Sequence, residues 1–179
     1  LTESTNFSCT MPIDIKKSLY KRVMFPRPSI GVELSGVKIV IDNKKKNKNG
    51  ELVIKSNSNS LGYWGKTLTA KRVVKSGDIG YFRIFDNKRF YYLQGRIKEL
   101  INRGGEKIYP LELEAEIRSL GINKEICVFS MPNKRLGEEV GLATTEKFDY
   151  SILKNIPGYR CPKKIYLLDS LFYTSTGKM

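Results

Sequence analysis

Histidine is absent from this 179-residue sequence, tryptophan occurs once and cysteine three times. Each scarcity removes a class of chemistry. Without histidine the chain holds neither a Ser-His-Asp triad nor a Cys-His nucleophile pair, so any catalytic group it carries is Lys, Arg, Asp, Glu or backbone. Cys9, Cys127 and Cys161 are odd in number and widely spaced, with no CxxC, which argues against a disulfide framework or a zinc site. No run approaches the roughly 20 consecutive apolar residues that span a bilayer. The opening Leu1-Thr2-Glu3-Ser4 lacks the basic n-region and apolar h-region of a secretory signal. These absences predict a soluble, cytoplasmic protein with no membrane span.

Acidic residues are also few: 18 against 32 basic ones, a formal net charge of +14. Such an excess is one mark of a nucleic-acid binder. The densest run, Asn43-Lys44-Lys45-Lys46-Asn47-Lys48-Asn49-Gly50, lies between two strand-like segments and ends in Asn-Gly. It therefore reads as an exposed hairpin loop on a lysine-rich surface, and no DNA partner is expected.

What is present is enough to fold. A hydrophobic content of 40% with 11% aromatics excludes disorder, and the length allows one ordinary core or two small ones, since domains run roughly 50 to 250 residues. Residues 31–42 are rich in β-branched side chains, and 51–55 continue that character, which predicts an antiparallel pair. Strand-like stretches follow at 79–85 and 90–93, separated by the turn-forming Asp86-Asn87. From Ile97 the pattern becomes mixed: a short strand at 107–109, then a helix opened by Pro110, with Leu113, Ile117 and Leu120 on one face and Gly121 at its end. Strands at 126–130, 139–143 and 164–168 and a short helix at 150–155 complete it. The fold class is α+β: a β-rich subdomain followed by a small mixed α/β domain that begins near Lys98. There is no initiator Met, and the sequence stops at Gly177-Lys178-Met179, so both ends read as cuts through a longer protein.

Five segments carry motifs, and their order gives them weight. They are Leu1-Thr2-Glu3; Gly50-Glu51-Leu52-Val53-Ile54 with Gly62-Tyr63-Trp64; Ser76-Gly77-Asp78-Ile79-Gly80; Gln94-Gly95-Arg96-Ile97-Lys98-Glu99-Leu100-Ile101 running into Asn102-Arg103-Gly104-Gly105-Glu106-Lys107-Ile108-Tyr109-Pro110; and Tyr173-Thr174-Ser175-Thr176-Gly177-Lys178. Taken singly, most are ordinary: a Thr-Glu is commonly a cap, a Gly-Asp a turn, a Gly-Gly a tight strand entry and a terminal Gly-Lys a solvated tail.

In this order they resemble the core motifs of the adenylate-forming superfamily, which includes acyl-CoA synthetases, firefly luciferase and the adenylation domains of nonribosomal peptide synthetases. Thr2-Glu3 is similar to the end of a Tyr-Gly-x-Thr-Glu motif, which implies that Thr2 contacts the AMP phosphate and Glu3 helps hold Mg2+. Asp78 stands where the family's Asp accepts hydrogen bonds from the ribose hydroxyls of ATP, a task that suits an acceptor-only carboxylate. Arg96 matches the arginine that reaches ribose or phosphate, for which a permanently charged, multi-donor group is apt. Lys98 matches the hinge, Gly104 and Gly105 the approach to the pantetheine arm of CoA, and Lys178 the catalytic lysine that bridges substrate carboxylate and α-phosphate. Ser56 replaces a usual Gly, and Phe172-Tyr173 replaces a usual Leu-Pro.

The resemblance implies that residues 1–96 end the large AMP-binding domain and that 97–179 form the mobile C-terminal domain. The implied reaction couples a carboxylic acid to CoA with ATP and Mg2+, in two half-reactions separated by rotation about Lys98. The Gly-Gly-Glu-Lys-Ile-Tyr-Pro stretch resembles acyl-CoA synthetases, so CoA is expected as acceptor, with a carrier-protein phosphopantetheine as the alternative. A non-catalytic basic binding fragment is the competing class. The family's phosphate loop and most of its acid pocket precede the Tyr-Gly motif, so the missing N-terminal portion is an expected partner and the fragment alone is not expected to catalyse adenylation.

Overall fold

The computed structural model describes residues 8–25, 27–43, 49–62, 65, 72–122 and 125–171. It divides into two compact units, Leu1–Ile97 and Lys98–Met179.

The first unit is built on a four-stranded antiparallel sheet of β3 (Val37–Asp42), β4 (Gly50–Ser56), β5 (Val73–Phe85) and β6 (Lys88–Arg96), in that order. Among the described residues a short pair, β1 (Cys9–Thr10) and β2 (Val32–Glu33), and one α-helix, α1 (Lys17–Met24), accompany it. β3 and β4 pair antiparallel as their β-branched runs predict, with Val37 opposite Ser56 and Asp42 opposite Glu51. The loop of lysines between them falls at residues outside the described set, apart from its ends. Residues 31–42 form two strands rather than one, because a turn with Gly36 at φ 77° interrupts them.

Asp86 and Asn87 connect β5 to β6 at φ 47° and 58°. Both central residues are left-handed, as a two-residue turn matched to the twist of the strands requires, and Asp and Asn tolerate that conformation best after Gly. Three successive aromatics on β6, Phe90, Tyr91 and Tyr92, are all fully buried. Alternation sends Tyr91 to one face, with Ile39, Leu52 and Ile54, and Phe90 and Tyr92 to the other, with Val23 of α1. A strand buried on both faces loses the apolar/polar alternation of a half-exposed one. The phenol hydroxyls stay paired: Tyr91 donates to Glu33 Oε1 at 2.8 Å and Tyr92 to the Val23 carbonyl at 3.1 Å. α1 was not legible in the sequence. It is short and basic, lacks a side-chain N-cap, and is held by packing Val23, Leu19 and Met24 on the sheet. It ends where Phe25, the residue before Pro26, turns extended.

The second unit centres on β10 (Gly137–Thr144). It pairs antiparallel with β9 (Ile126–Asn133) and β7 (Ile101–Arg103) and parallel with β11 (Lys164–Leu167), while β8 (Glu106–Ile108) lies outside β7. Helix α2 (Pro110–Ser119) begins with proline at its first turn, where the missing N–H costs nothing. It lays Leu113 and Ile117 into a core with Ile101, Ile108, Ile126, Val128, Val140 and Leu142, with Leu120 packed at its edge. Gly121, at φ 96°, closes it. The buried Glu114 accepts the Val128 amide at 2.9 Å and lies 3.7 Å from Arg118. Burial pushes its carboxyl above the usual range, against the pull of that amide and of Arg118. The expected short helix at 150–155 is a 3-10 turn, capped by Asp149 accepting the Ser151 amide.

Candidate functional site

Strand β5 extends six residues further upstream than its apolar pattern predicts, so Ser76-Gly77-Asp78 lies within a strand and is not a free-standing turn. It is a bulge. Glu51 opposes Ile79 and Val53 opposes Lys75, so three residues of β5 face the single Leu52 of β4. Gly77 makes this possible at φ 71°, and nothing would crowd a side chain there, so backbone conformation alone calls for glycine. The bulge is held at both ends. The Gly77 amide donates to Glu51 Oε1 at 3.1 Å, and the Asp78 amide donates to Ser76 Oγ at 3.0 Å.

The consequence is the aim of Asp78. It sits directly across from Arg96, the last residue of β6, and Arg96 Nε lies 3.2 Å from Asp78 Oδ1. The Asp78 side chain is 21% exposed and that of Arg96 44%. The structure thus brings together two residues that lie 18 positions apart in sequence, each singled out by its motif. A carboxylate acceptor and a guanidinium donor therefore lie side by side and within reach of solvent. Glu51 and Ser76 support the bulge and were not read as site residues; the Ser-x-Asp spacing, a hydroxyl bonding the backbone two residues on, was the available signal.

Lys98 lies in a single 3-10 turn, Ile97–Glu99, that spans the boundary between the two units. Gly104 and Gly105 form the two-residue turn between β7 and β8, with Arg103 paired to Glu106 and φ values of 59° and 95°. That conformation accounts for both glycines as a left-handed hairpin turn. A Cβ on Gly104 would also press on the Leu136 side chain at 3.0 Å, whereas one on Gly105 would meet nothing. Thr2, Glu3 and Lys178, and with them the phosphate, magnesium and catalytic-lysine expectations, lie outside the described residues. Among the described residues no three His, Cys, Asp or Glu side chains gather as metal ligands, and no helix is long and apolar enough to cross a membrane.

The first unit is thus β-rich and carries an Asp–Arg pair on a bulge, and the second is a small α/β unit with a Gly-Gly turn near its start. No protein-family model matches the chain. Individual proteins do. It is 30% identical over 193 residues to an oxalate–CoA ligase from Arabidopsis thaliana, a match that takes in 100% of this chain and 37% of the relative. It is 34% identical to the oxalate–CoA ligase of Saccharomyces cerevisiae, over 86% of this chain and 32% of that one. The fold superposes with a TM-score of 0.78 on 38% of an O-succinylbenzoate coenzyme A synthetase from Bacillus subtilis solved with ATP and magnesium, covering 100% of this chain at 23% identity. The chain spans about a third of the length of the curated relatives it matches. It belongs to the adenylate-forming superfamily, in the acyl-CoA synthetase branch, and corresponds to a C-terminal portion of those enzymes.

Proposed function

We propose that this chain is the C-terminal part of an AMP-forming acid–thiol ligase that activates a carboxylic acid with Mg-ATP and passes the acyl group to CoA. The observation that carries the reading is the Asp78–Arg96 pair, set across two strands beside a bulge.

Asp78 accepts the two ribose hydroxyls, and Arg96 donates to the ribose or a phosphate. A partly exposed pair gains little from its own attraction, because each member is still solvated, so exchanging that partner for a ligand costs little. ATP supplies the leaving group that a carboxylate lacks, and the residues of this chain bind and orient it. Thr2 takes the AMP phosphate and Glu3 the magnesium. Lys178 places a compact ammonium where charge develops as pyrophosphate departs.

The acyl-transfer half-reaction needs a different set of groups. Gly104 and Gly105 offer a side-chain-free turn along which a narrow thiol-bearing arm passes. A pivot at Lys98 exchanges the two sets, a hinge motion confined to one short turn. The curated relatives are named as CoA ligases, which favours CoA over a carrier-bound phosphopantetheine.

The test is acid-dependent ATP–pyrophosphate exchange by the full-length enzyme over a panel of carboxylic acids, with Lys178→Ala alongside. Exchange that requires an acid and is lost in the variant supports the reading and names the substrate class. Folded enzyme that exchanges with no acid moves the chain to a binding role.

A further inference from the structure

The Gly104-Gly105 turn is built of residues without side chains, so whatever fixes its position must come from its neighbours. Three ties do so, all from the β9–β10 hairpin and its turn. The Gly104 amide donates to the Leu136 carbonyl at 2.9 Å. The Asn102 amide donates to Glu138 Oε2, whose other oxygen accepts the Ser130 hydroxyl at 2.8 Å. Arg103, directly before the turn, pairs with Gly137 through its backbone and sets its Nε 2.5 Å from Glu139 Oε1, two residues further along β10.

This third tie differs from the others in being ionic and covered. The Arg103 and Glu139 side chains are 18% and 11% exposed. The same Glu139 oxygen accepts the Val140 amide at 3.1 Å. The hydrogen bond from Arg103, with that amide and the charges of Arg103 and Lys163, holds the Glu139 carboxyl below the usual glutamate range. The other end of the clamp is also set in advance, since Asn133 Oδ1 accepts the Arg135 and Leu136 amides at 2.9 and 3.0 Å and shapes the β9–β10 turn. A guanidinium held in this way braces backbone; it does not wait for a phosphate.

We infer that Arg103 and Glu139 are positioning residues for the thiol-transfer half-reaction, fixing the Gly104-Gly105 turn against the β9–β10 hairpin and acting on the acceptor only through it. This rests on the ligase reading above. A displacement of about 1 Å in a group that orients a reactant costs on the order of 100-fold in rate. Adenylation, which uses Asp78, Arg96 and Lys178, is indifferent to the strut.

The experiment compares the full-length enzyme with Glu139→Gln, Arg103→Lys and the double variant, measuring acid-dependent ATP–pyrophosphate exchange and, separately, thioester formation against CoA concentration. Thermal melts report folding. The expected result is unchanged exchange with kcat/KM for CoA lowered about 10- to 100-fold, and a double variant no worse than the poorer single, because the pair acts as one unit. Equal loss of both half-reactions, or undiminished thioester formation in a folded variant, overturns the inference. If Glu139→Gln does not fold, Arg103→Lys, which retains the charge, must show the same split, and its absence overturns the inference as well. Lack of acid-dependent exchange in the unmutated enzyme overturns the ligase reading itself, which keeps the two failures apart.

Discussion

Two arginine–carboxylate pairs, one in each unit, look alike in sequence and differ in burial. Arg96 and Asp78 are joined at 3.2 Å with the arginine nearly half exposed, whereas Arg103 and Glu139 are joined at 2.5 Å with both side chains largely covered. An exposed pair is worth little to the fold and is open to exchange with a ligand. A covered one is costly to break, because removing one member strands the other's charge away from water. On the readings proposed above, the same two chemical groups serve as a binding site in one place and a strut in the other, and burial separates them.

That contrast is broken most severely by Arg103→Ala, which leaves Glu139 charged and without its guanidinium. It should lower the stability of the second unit by about 3–5 kcal/mol, seen as a drop in urea midpoint. The matching change in the first unit, Arg96→Ala, should cost under about 1 kcal/mol in the same assay while weakening nucleotide binding. Equal stability losses in the two variants would erase the distinction.

A smaller effect separates the carboxylates by pH. The Glu139 carboxyl is lowered chiefly by the hydrogen bond from Arg103, so its contribution is complete above the ordinary glutamate range and is lost as pH falls through its folded-state value. Glu114 has the opposite sign. Burial raises its carboxyl, so its contribution is complete below the ordinary range and declines as pH rises through the raised value. Acid melts of Glu139→Gln should therefore show less loss of stability between neutral and acidic pH than the unmutated protein, and Glu114→Gln should show more. A Glu139→Gln curve parallel to that of the unmutated protein would contradict the role given to the Arg103 hydrogen bond.

Much of the architecture could be read from local pattern. Pro110 and Gly121 bracket α2, Asp86-Asn87 marks a turn, and the β-branched runs mark β3 and β4. The features that escaped are those whose cause is tertiary. The Ser76-Gly77-Asp78 bulge carries the same local signal as a turn, and only pairing with β4 and β6 makes it part of a strand. Helix α1 has no capping side chain and depends on burying Val23. β7 is three residues long. The candidate site divides in the same way: Asp78 and Arg96 were legible one at a time from their motifs, but their pairing is a matter of register. Arg103 and Glu139 lie 36 residues apart, and no local rule joins them.

The central claim is that Asp78 binds nucleotide, and ATP–pyrophosphate exchange by the full-length enzyme carrying Asp78→Asn tests it most directly. The account predicts a rise of about 10- to 100-fold in the KM for ATP, because the amide accepts one hydroxyl less well and loses its charge, with the melting temperature little changed. An unaltered KM in a folded variant would contradict it.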